Sequence, residues 1–191
     1  MVKSAFSILA VAAVAGIALT PVAASAATAR SAVLAYSSNP IASSPTTTVT
    51  FTVSSGLLAL TAPATANIGT NGPGTSISGD LGTVVVTDNR ALLSASWTAF
   101  AASTAWTTGA GTGAETIPAG DVAYDPGAIT STGTVTDTGT AITLSATPAA
   151  VITATAGVGD NSASWDPDIT VAVPAAAVVG AYSGTITQSI S

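Results

Sequence analysis

Apolar and polar residues alternate with a period of two in several short segments, and this period constrains the fold more than any other feature. Val49, Phe51 and Val53 alternate with threonines, which predicts a half-buried strand. Further β-type segments are TVVVT (83–87), AITLSA (141–146) and VITAT (151–155). Glycine and proline separate them, and no window sustains a helical period. The sequence therefore predicts an all-β fold, a single antiparallel β-sandwich of the Ig-like or Greek-key type, with a barrel as the alternative.

The last part of the chain contains two alternating runs joined by a short loop. Apolar residues share one face from Trp165 to Val173, and again from Tyr182 to Ile190. The loop PAAAVVG begins at Pro174, which ends the first run. We expect these two runs to form adjacent antiparallel strands.

The first 26 residues have the features of a secretory signal. Lys3 precedes the uncharged run Ala5 to Leu19, Pro21 ends that run, and Ala24-Ser25-Ala26 offers a small-x-small cleavage pattern. We therefore expect residues 1–26 to be a signal peptide, 27–46 a linker or loosely attached first strand, and 47–191 the β-sandwich domain. The expected location is secreted, with no integral membrane segment after signal cleavage.

The charge of the mature chain limits its partners. Cleavage would remove Lys3, so that two arginines remain against nine acidic residues and the net charge becomes −7. Nucleic acid is excluded as a partner because phosphate binding requires a basic surface. Contact with an anionic polymer would have to use hydrogen bonds, stacking or a bridging cation. The sequence has no cysteine, so the fold must depend on its own core.

The residue inventory argues against catalysis and against a cofactor. The expected mature chain has no histidine, cysteine or lysine and a single glutamate, Glu115, which removes the usual nucleophiles, bases and zinc ligands. We expect a non-enzymatic protein with no cofactor and no metal site. The nearest approach to a calcium site is the group Asp160, Asp166 and Asp168, whose spacing does not match the EF-hand loop.

The tetrapeptide SASW occurs twice, at 94–97 and 162–165, in a chain with three tryptophans. Alternation places Trp97 and Trp165 on apolar strand faces, so we expect both to be core residues. Candidate ligand-binding residues are instead the aromatic rings expected in loops. These are Trp106, in a glycine- and threonine-rich segment, and Tyr124, before the turn Asp125-Pro126-Gly127.

The order of short motifs over residues 47–191 resembles the WxL-domain-like surface proteins of Gram-positive bacteria, in their actinobacterial form. The motifs are FTV (51–53), PATANIGT (63–70), SGDLGTVVVTDNR (78–90), SASWTA (94–99), TIPAGDVAY (116–124) and SWDPDITVAVPAAAVVGAYSGTITQS (164–189). The family is named for Trp-x-Leu, whereas Trp97 and Trp165 are followed here by Thr-Ala and Asp-Pro. Wall contact through those leucines is therefore in question for this chain.

The resemblance implies a secreted β-rich domain that associates non-covalently with the bacterial cell wall, through peptidoglycan. We therefore expect a location at the cell wall or cell surface. The alternative is a structural subunit that self-associates through strand edges into a surface layer or fibre, since strands rich in threonine and valine with little charge suit that role.

Overall fold

The computed structural model of the protein describes residues 46–191. The expected signal peptide and most of the expected linker, residues 1–45, lie outside the described residues. The strands are β1 (Leu58–Thr61), β2 (Ser76–Asp80), β3 (Val84–Ser103), β4 (Trp106–Thr107), β5 (Thr116–Ile117), β6 (Val122–Asp125), β7 (Ile129–Gly139), β8 (Ile142–Thr143), β9 (Ala149–Trp165), β10 (Asp168–Ala172) and β11 (Ile186–Ile190). Two 3₁₀ turns, Gly113–Glu115 and Ala119–Asp121, flank β5.

Two antiparallel sheets pack against each other, so the predicted all-β sandwich is confirmed. The larger sheet has the order β1-β3-β9-β7, and β11 joins it by pairing with the second half of β3. The smaller sheet has the order β2-β10-β6-β8. A separate two-stranded pair is formed by β4 and β5. None of the helical turns within residues 46–191 has the length or the apolar character needed to cross a membrane.

The core lies between the two sheets and is built from alternating side chains of both. Val84, Val86 and Ile152 enter it from the larger sheet, and Val122 and Ile169 enter from the smaller sheet. Each of these side chains is fully excluded from water, which is the main favourable term in a fold without disulfides. The strand alternation seen in the sequence therefore corresponds to an inner and an outer face.

The long strands β3 and β9 bend near their middles. Ala91 in β3 and Ala156 in β9 have φ angles of 54° and 56°, which are uncommon for residues with a side chain. The β3–β9 register shifts between Asp88 and Leu92 and again toward Trp97. Bulges of this kind bend a strand and change which residues face inward. Each long strand therefore contributes two separate inward-facing segments.

The expectation of adjacent strands at the end of the chain is wrong. The first run divides, because Trp165 ends β9 in the larger sheet while Asp168 begins β10 in the smaller sheet. Pro167 separates them and has no N–H to donate to a continuing ladder. The second run contributes β11, which pairs with β3 and not with β10. The connection from Pro174 therefore crosses between sheets.

The strand predicted at Val49–Val53 is also absent. These residues pair with no strand, and their apolar side chains are exposed. The first backbone bonds to the larger sheet occur later, where Gly56 N–H donates to Asn89 and Asn89 N–H donates to Leu57. Regular pairing with β3 begins at Leu58.

Candidate functional site

The two SASW tryptophans are core residues. Trp97 and Trp165 are each 2% exposed and belong to the buried cluster between the sheets. Trp165 Nε1 donates to Tyr124 Oη at 2.9 Å, and Tyr124 Oη donates to Gln188 Oε1 at 3.2 Å. This chain of hydrogen bonds joins β9, β6 and β11, so it links both sheets. Neither tryptophan ring presents a surface to a ligand.

Tyr124 is not an exposed turn residue, so the expectation of an exposed ring at this position is wrong. Its side chain is 0% exposed, because it shares the inward face of β6 with Val122, two residues earlier. Burial raises the pKa of Tyr124 from 10.0 to about 12, and the hydrogen bond from Trp165 opposes that rise. The spacing of two residues between Val122 and Tyr124 indicates burial in the sequence. The turn residues that follow Tyr124 indicate a loop instead.

Trp106 stands in a different position, at the edge of a cleft. It lies in β4, where it pairs with Ile117 of β5, and its ring is partly buried against the core cluster. Trp106 Nε1 donates to Ser103 Oγ at 3.1 Å. The indole lies directly on the backbone of Gly184, where a β-carbon would overlap three ring atoms. The ring is therefore fixed in orientation while it lines the cleft.

The cleft has a volume of about 960 Å³ and lies between the loop 62–73, the β4–β5 pair and the segment 177–188. Its second aromatic residue is Tyr182, whose Oη lies 3.0 Å from the carbonyl oxygens of both Ala114 and Val178. These contacts hold the phenol ring in one place. Sequence reasoning missed Tyr182 as a site residue because it assigned the ring to the face of a regular strand.

The loop that forms one wall of the cleft is held by its own asparagines. Asn67 Oδ1 accepts from Gly69 N–H at 2.9 Å, and Asn71 Oδ1 accepts from Gly72 N–H at 2.9 Å. Asn71 Nδ2 also donates to the Ser76 carbonyl at 2.7 Å, which ties the loop to the start of β2. Asparagine side chains that bond to nearby backbone stabilise turns of this kind. The wall is therefore preorganised.

The lining of the cleft is uncharged. Among residues 46–191, those that line it include aromatic, amide, hydroxyl and aliphatic side chains but no aspartate, glutamate, lysine or arginine. Gln188 lines the cleft as well and accepts the hydrogen bond from buried Tyr124. The cleft is therefore neutral, in a chain in which charged residues are 6% of the total. It suits a ligand that offers apolar faces and hydroxyl or amide groups.

The candidate calcium ligands are not brought together. Within the described part of the chain, no group of three or more acidic, histidine or cysteine side chains is arranged to hold a metal ion. Asp168 lies instead directly opposite Asp80 on one neighbouring strand and Asp125 on the other. Asp80 and Asp125 each accept a hydrogen bond from a backbone N–H two residues later, at Gly82 and Gly127. The carboxylates of Asp80 and Asp125 therefore cap turns.

Glu115 also has a structural role. Its carboxylate accepts hydrogen bonds from the backbone N–H and the hydroxyl of Thr112, at 2.9 and 2.7 Å. These bonds lower the pKa of Glu115 and close a capping box around the 3₁₀ turn. The glutamate therefore stabilises the turn between β4 and β5.

A comparison of the chain with protein-family models, curated proteins and solved structures finds no match. The sequence and the geometry of the cleft are therefore the observations that bear on function.

Proposed function

We propose that this protein is a secreted, non-enzymatic surface protein that associates non-covalently with the bacterial cell wall, and that the cleft at Trp106 contacts the wall polymer. The observation that carries the proposal is the uncharged cleft of about 960 Å³, with two fixed aromatic rings. The resemblance of residues 47–191 to WxL-domain-like surface proteins supports the same assignment. Peptidoglycan is the proposed polymer.

The chemistry of the cleft suits a glycan. A sugar ring has an apolar face of C–H groups that packs on an aromatic ring, and its hydroxyl and acetamido groups exchange hydrogen bonds with amides. Trp106 and Tyr182 supply the rings, while Thr185 and Gln188 supply polar groups on the same side of the cleft. The volume is near the upper end of the usual range for ligand sites, which is room for more than one sugar unit.

The charge distribution explains how an acidic protein approaches an anionic wall. The acidic row of Asp80, Asp125 and Asp168 lies on the smaller sheet and contributes nothing to the lining of the cleft. A polymer in the cleft therefore meets neutral side chains and is not directly opposed by a carboxylate. Long-range repulsion between the net charges remains, and salt screens it.

The test is a pull-down of the purified protein onto isolated peptidoglycan. Trp106→Ala should raise the Kd for peptidoglycan at least about tenfold and so reduce the bound fraction. Leu93→Ala, which removes an exposed apolar side chain outside the cleft, should leave the Kd unchanged. Equal binding by wild type and Trp106→Ala would refute the role of the cleft. Pelleting without any wall material would favour the alternative, a subunit that self-associates into a layer or fibre.

A further inference from the structure

The segment Val49–Val53 exposes a complete apolar strand face. Val49, Phe51 and Val53 are 82%, 88% and 72% exposed, and in the part of the chain that the structure describes the segment belongs to no strand. In an extended chain, three residues at a spacing of two lie on one face. Exposed apolar side chains gathered in this way mark a surface that is covered by a partner.

A continuation of β1 would not turn this face toward the core, because the segment has the opposite parity. In β1 the partly buried positions are the even ones, Leu58 and Leu60, and Leu58 lies opposite the buried Asp88. Leu57, at an odd position, is 80% exposed. A strand that continued β1 toward its N-terminal side would therefore direct the odd residues of the segment to the outer face of the sheet.

The sequence of the segment is self-complementary. VTFTV reads the same in both directions, with Phe51 at its centre. If two copies pair antiparallel about a two-fold axis through Phe51, the two phenylalanines lie opposite each other and Val49 lies opposite Val53 of the other copy. Aromatic and β-branched pairs across strands are favourable, and threonines would pair on the other face. A second copy is the partner that this symmetry selects.

The charges of the segment also favour a second copy. Residues 46–57 contain no acidic and no basic residue. Two molecules that each carry a net negative charge can therefore meet at this segment without placing like charges in contact.

Leu57 continues the same face, and the backbone bonds of Gly56 and Leu57 to Asn89 bring it to the part of β3 that exposes Leu92 and Leu93. Leu92 and Leu93 are further exposed apolar side chains in this part of β3.

We propose that two copies of this chain associate through antiparallel pairing of Val49–Val53 about Phe51. A two-fold contact of this kind uses the same patch on both molecules and is complete with two copies. It therefore differs from the open strand-edge assembly of a layer or fibre, and it is independent of the proposed binding of the wall.

The first test is the concentration dependence of the molecular mass, measured by sedimentation equilibrium of the purified protein. Wild type should show a monomer–dimer equilibrium, and Phe51→Thr should raise the dimer Kd at least about tenfold. The control is Val179→Thr, which removes an apolar side chain that is 99% exposed and lines the cleft, outside residues 46–57, and it should leave the dimer Kd unchanged. A wild type that is monomeric at every concentration, or a Phe51→Thr variant with an unchanged Kd, would overturn the proposal.

The second test reads the register with single cysteines, which the natural sequence lacks. Val49→Cys and Val53→Cys variants should form a disulfide-linked dimer when mixed and oxidised, because antiparallel pairing brings the two positions together. Each variant alone should cross-link poorly, since its own positions lie about 13 Å apart in the pair. Cross-linking of Val49→Cys alone to the same extent as the mixture would indicate parallel pairing and would refute this geometry. Phe51→Thr should still bind walls through the cleft, which keeps the two proposals separable.

Discussion

Arg90 and Asp88 form an ion pair at the point where β3 begins to bend. Arg90 Nε donates to Asp88 Oδ1 at 2.8 Å, and Arg90 Nη2 donates to Asp88 Oδ2 at 2.9 Å. The Asp88 side chain is fully buried, whereas that of Arg90 is 28% exposed. Arg90 Nη2 also donates to the Ser96 carbonyl across the bulge. One arginine therefore neutralises a buried carboxylate and holds both sides of the bend.

Arg90→Gln should destabilise the fold by about 1.5–3 kcal/mol at neutral pH, because it leaves a buried carboxylate without its charged partner. The measurement is urea unfolding followed by tryptophan fluorescence. The matched control is the double variant Asp88→Asn with Arg90→Gln, which removes both charges and should recover part of the loss. A double variant no more stable than Arg90→Gln would contradict this account.

Acid should weaken the wild type through the same pair. The hydrogen bonds from the Arg90 side chain lower the pKa of Asp88 below its ordinary value of 3.8. A lowered carboxyl pKa stabilises the fold above 3.8, and this contribution is lost as pH falls through the folded-state pKa. Unfolding midpoints measured from pH 6 down to about pH 2 should therefore converge for wild type and Asp88→Asn at the acid end. A constant gap between them would refute the assignment.

Tyr124→Phe should destabilise the fold by about 1–3 kcal/mol, because the buried Trp165 N–H loses its acceptor. The wild type should also lose stability between about pH 10 and 12, since the phenol pKa is raised from 10.0 to about 12 in the folded protein. The phenylalanine variant should lack this contribution to the alkaline loss. The measurement is an alkaline denaturation series of the wild type and the variant. Tyr182→Phe, which changes a partly buried ring, is the control.

Asp168→Asn should stabilise the protein by roughly 0.2–1 kcal/mol, because like charges directly opposite across strands are unfavourable. The residue lies between Asp80 and Asp125 in neighbouring strands. The gain should shrink at high salt, which screens exposed charges. Asp160→Asn, which removes a carboxylate outside this row, should give a smaller gain. Equal gains for both variants would indicate an effect of net charge alone.

Gly184→Ala should weaken wall binding more than it weakens folding. A β-carbon at this position would overlap the indole of Trp106, so the ring must move within the cleft. We expect at least about a tenfold increase in the Kd for peptidoglycan. Gly113→Ala adds a methyl group in open space and should leave both properties unchanged. An unchanged Kd for Gly184→Ala would mean that the ring position is not used.

Monovalent salt should change wall binding little or strengthen it slightly, because screening reduces the repulsion between an acidic protein and an anionic wall. The measurement is a pull-down across a salt series with and without a chelator. Release by chelator would indicate a bridging divalent ion near Asp166 and Asp168. Steep loss of binding with monovalent salt would contradict contact through a neutral cleft.

The sequence predicted the fold class and the inward faces of several strands, because a period of two indicates that one face of a strand is buried. The alternation around Trp97 and Trp165 placed both rings on faces that are buried in the structure. Trp106 was selected as an exposed aromatic from its surroundings, and it lies at the cleft. Tyr124 was misplaced because the turn that follows it concealed the alternation with Val122.

Three features could not be predicted from local patterns. Period two at Val49–Val53 indicates a strand with one apolar face but does not show which molecule supplies the partner. The bend of β3 depends on Ala91 in a conformation with positive φ, for which alanine gives no signal. The cleft combines residues 62–73 with Trp106 and Tyr182, which are distant in sequence and brought together only by the packing of the sheets.

The pairing of β3 has a consequence for the speed of folding. Val84 pairs with Trp165, 81 positions later, and Ala99 pairs with Ile190, 91 positions later. A strand with such distant partners gains few stabilising contacts until those parts of the chain have come together. Topologies of this type fold in milliseconds to seconds rather than microseconds. Until β9 and β11 are in place, β1 is the one partner near in sequence within the described residues, and it pairs only with Val85–Asp88 of this 20-residue strand. Asn89 and Arg90, polar residues at the bend, divide the apolar face of β3. They therefore shorten the stretch that could pair with the strand of another molecule.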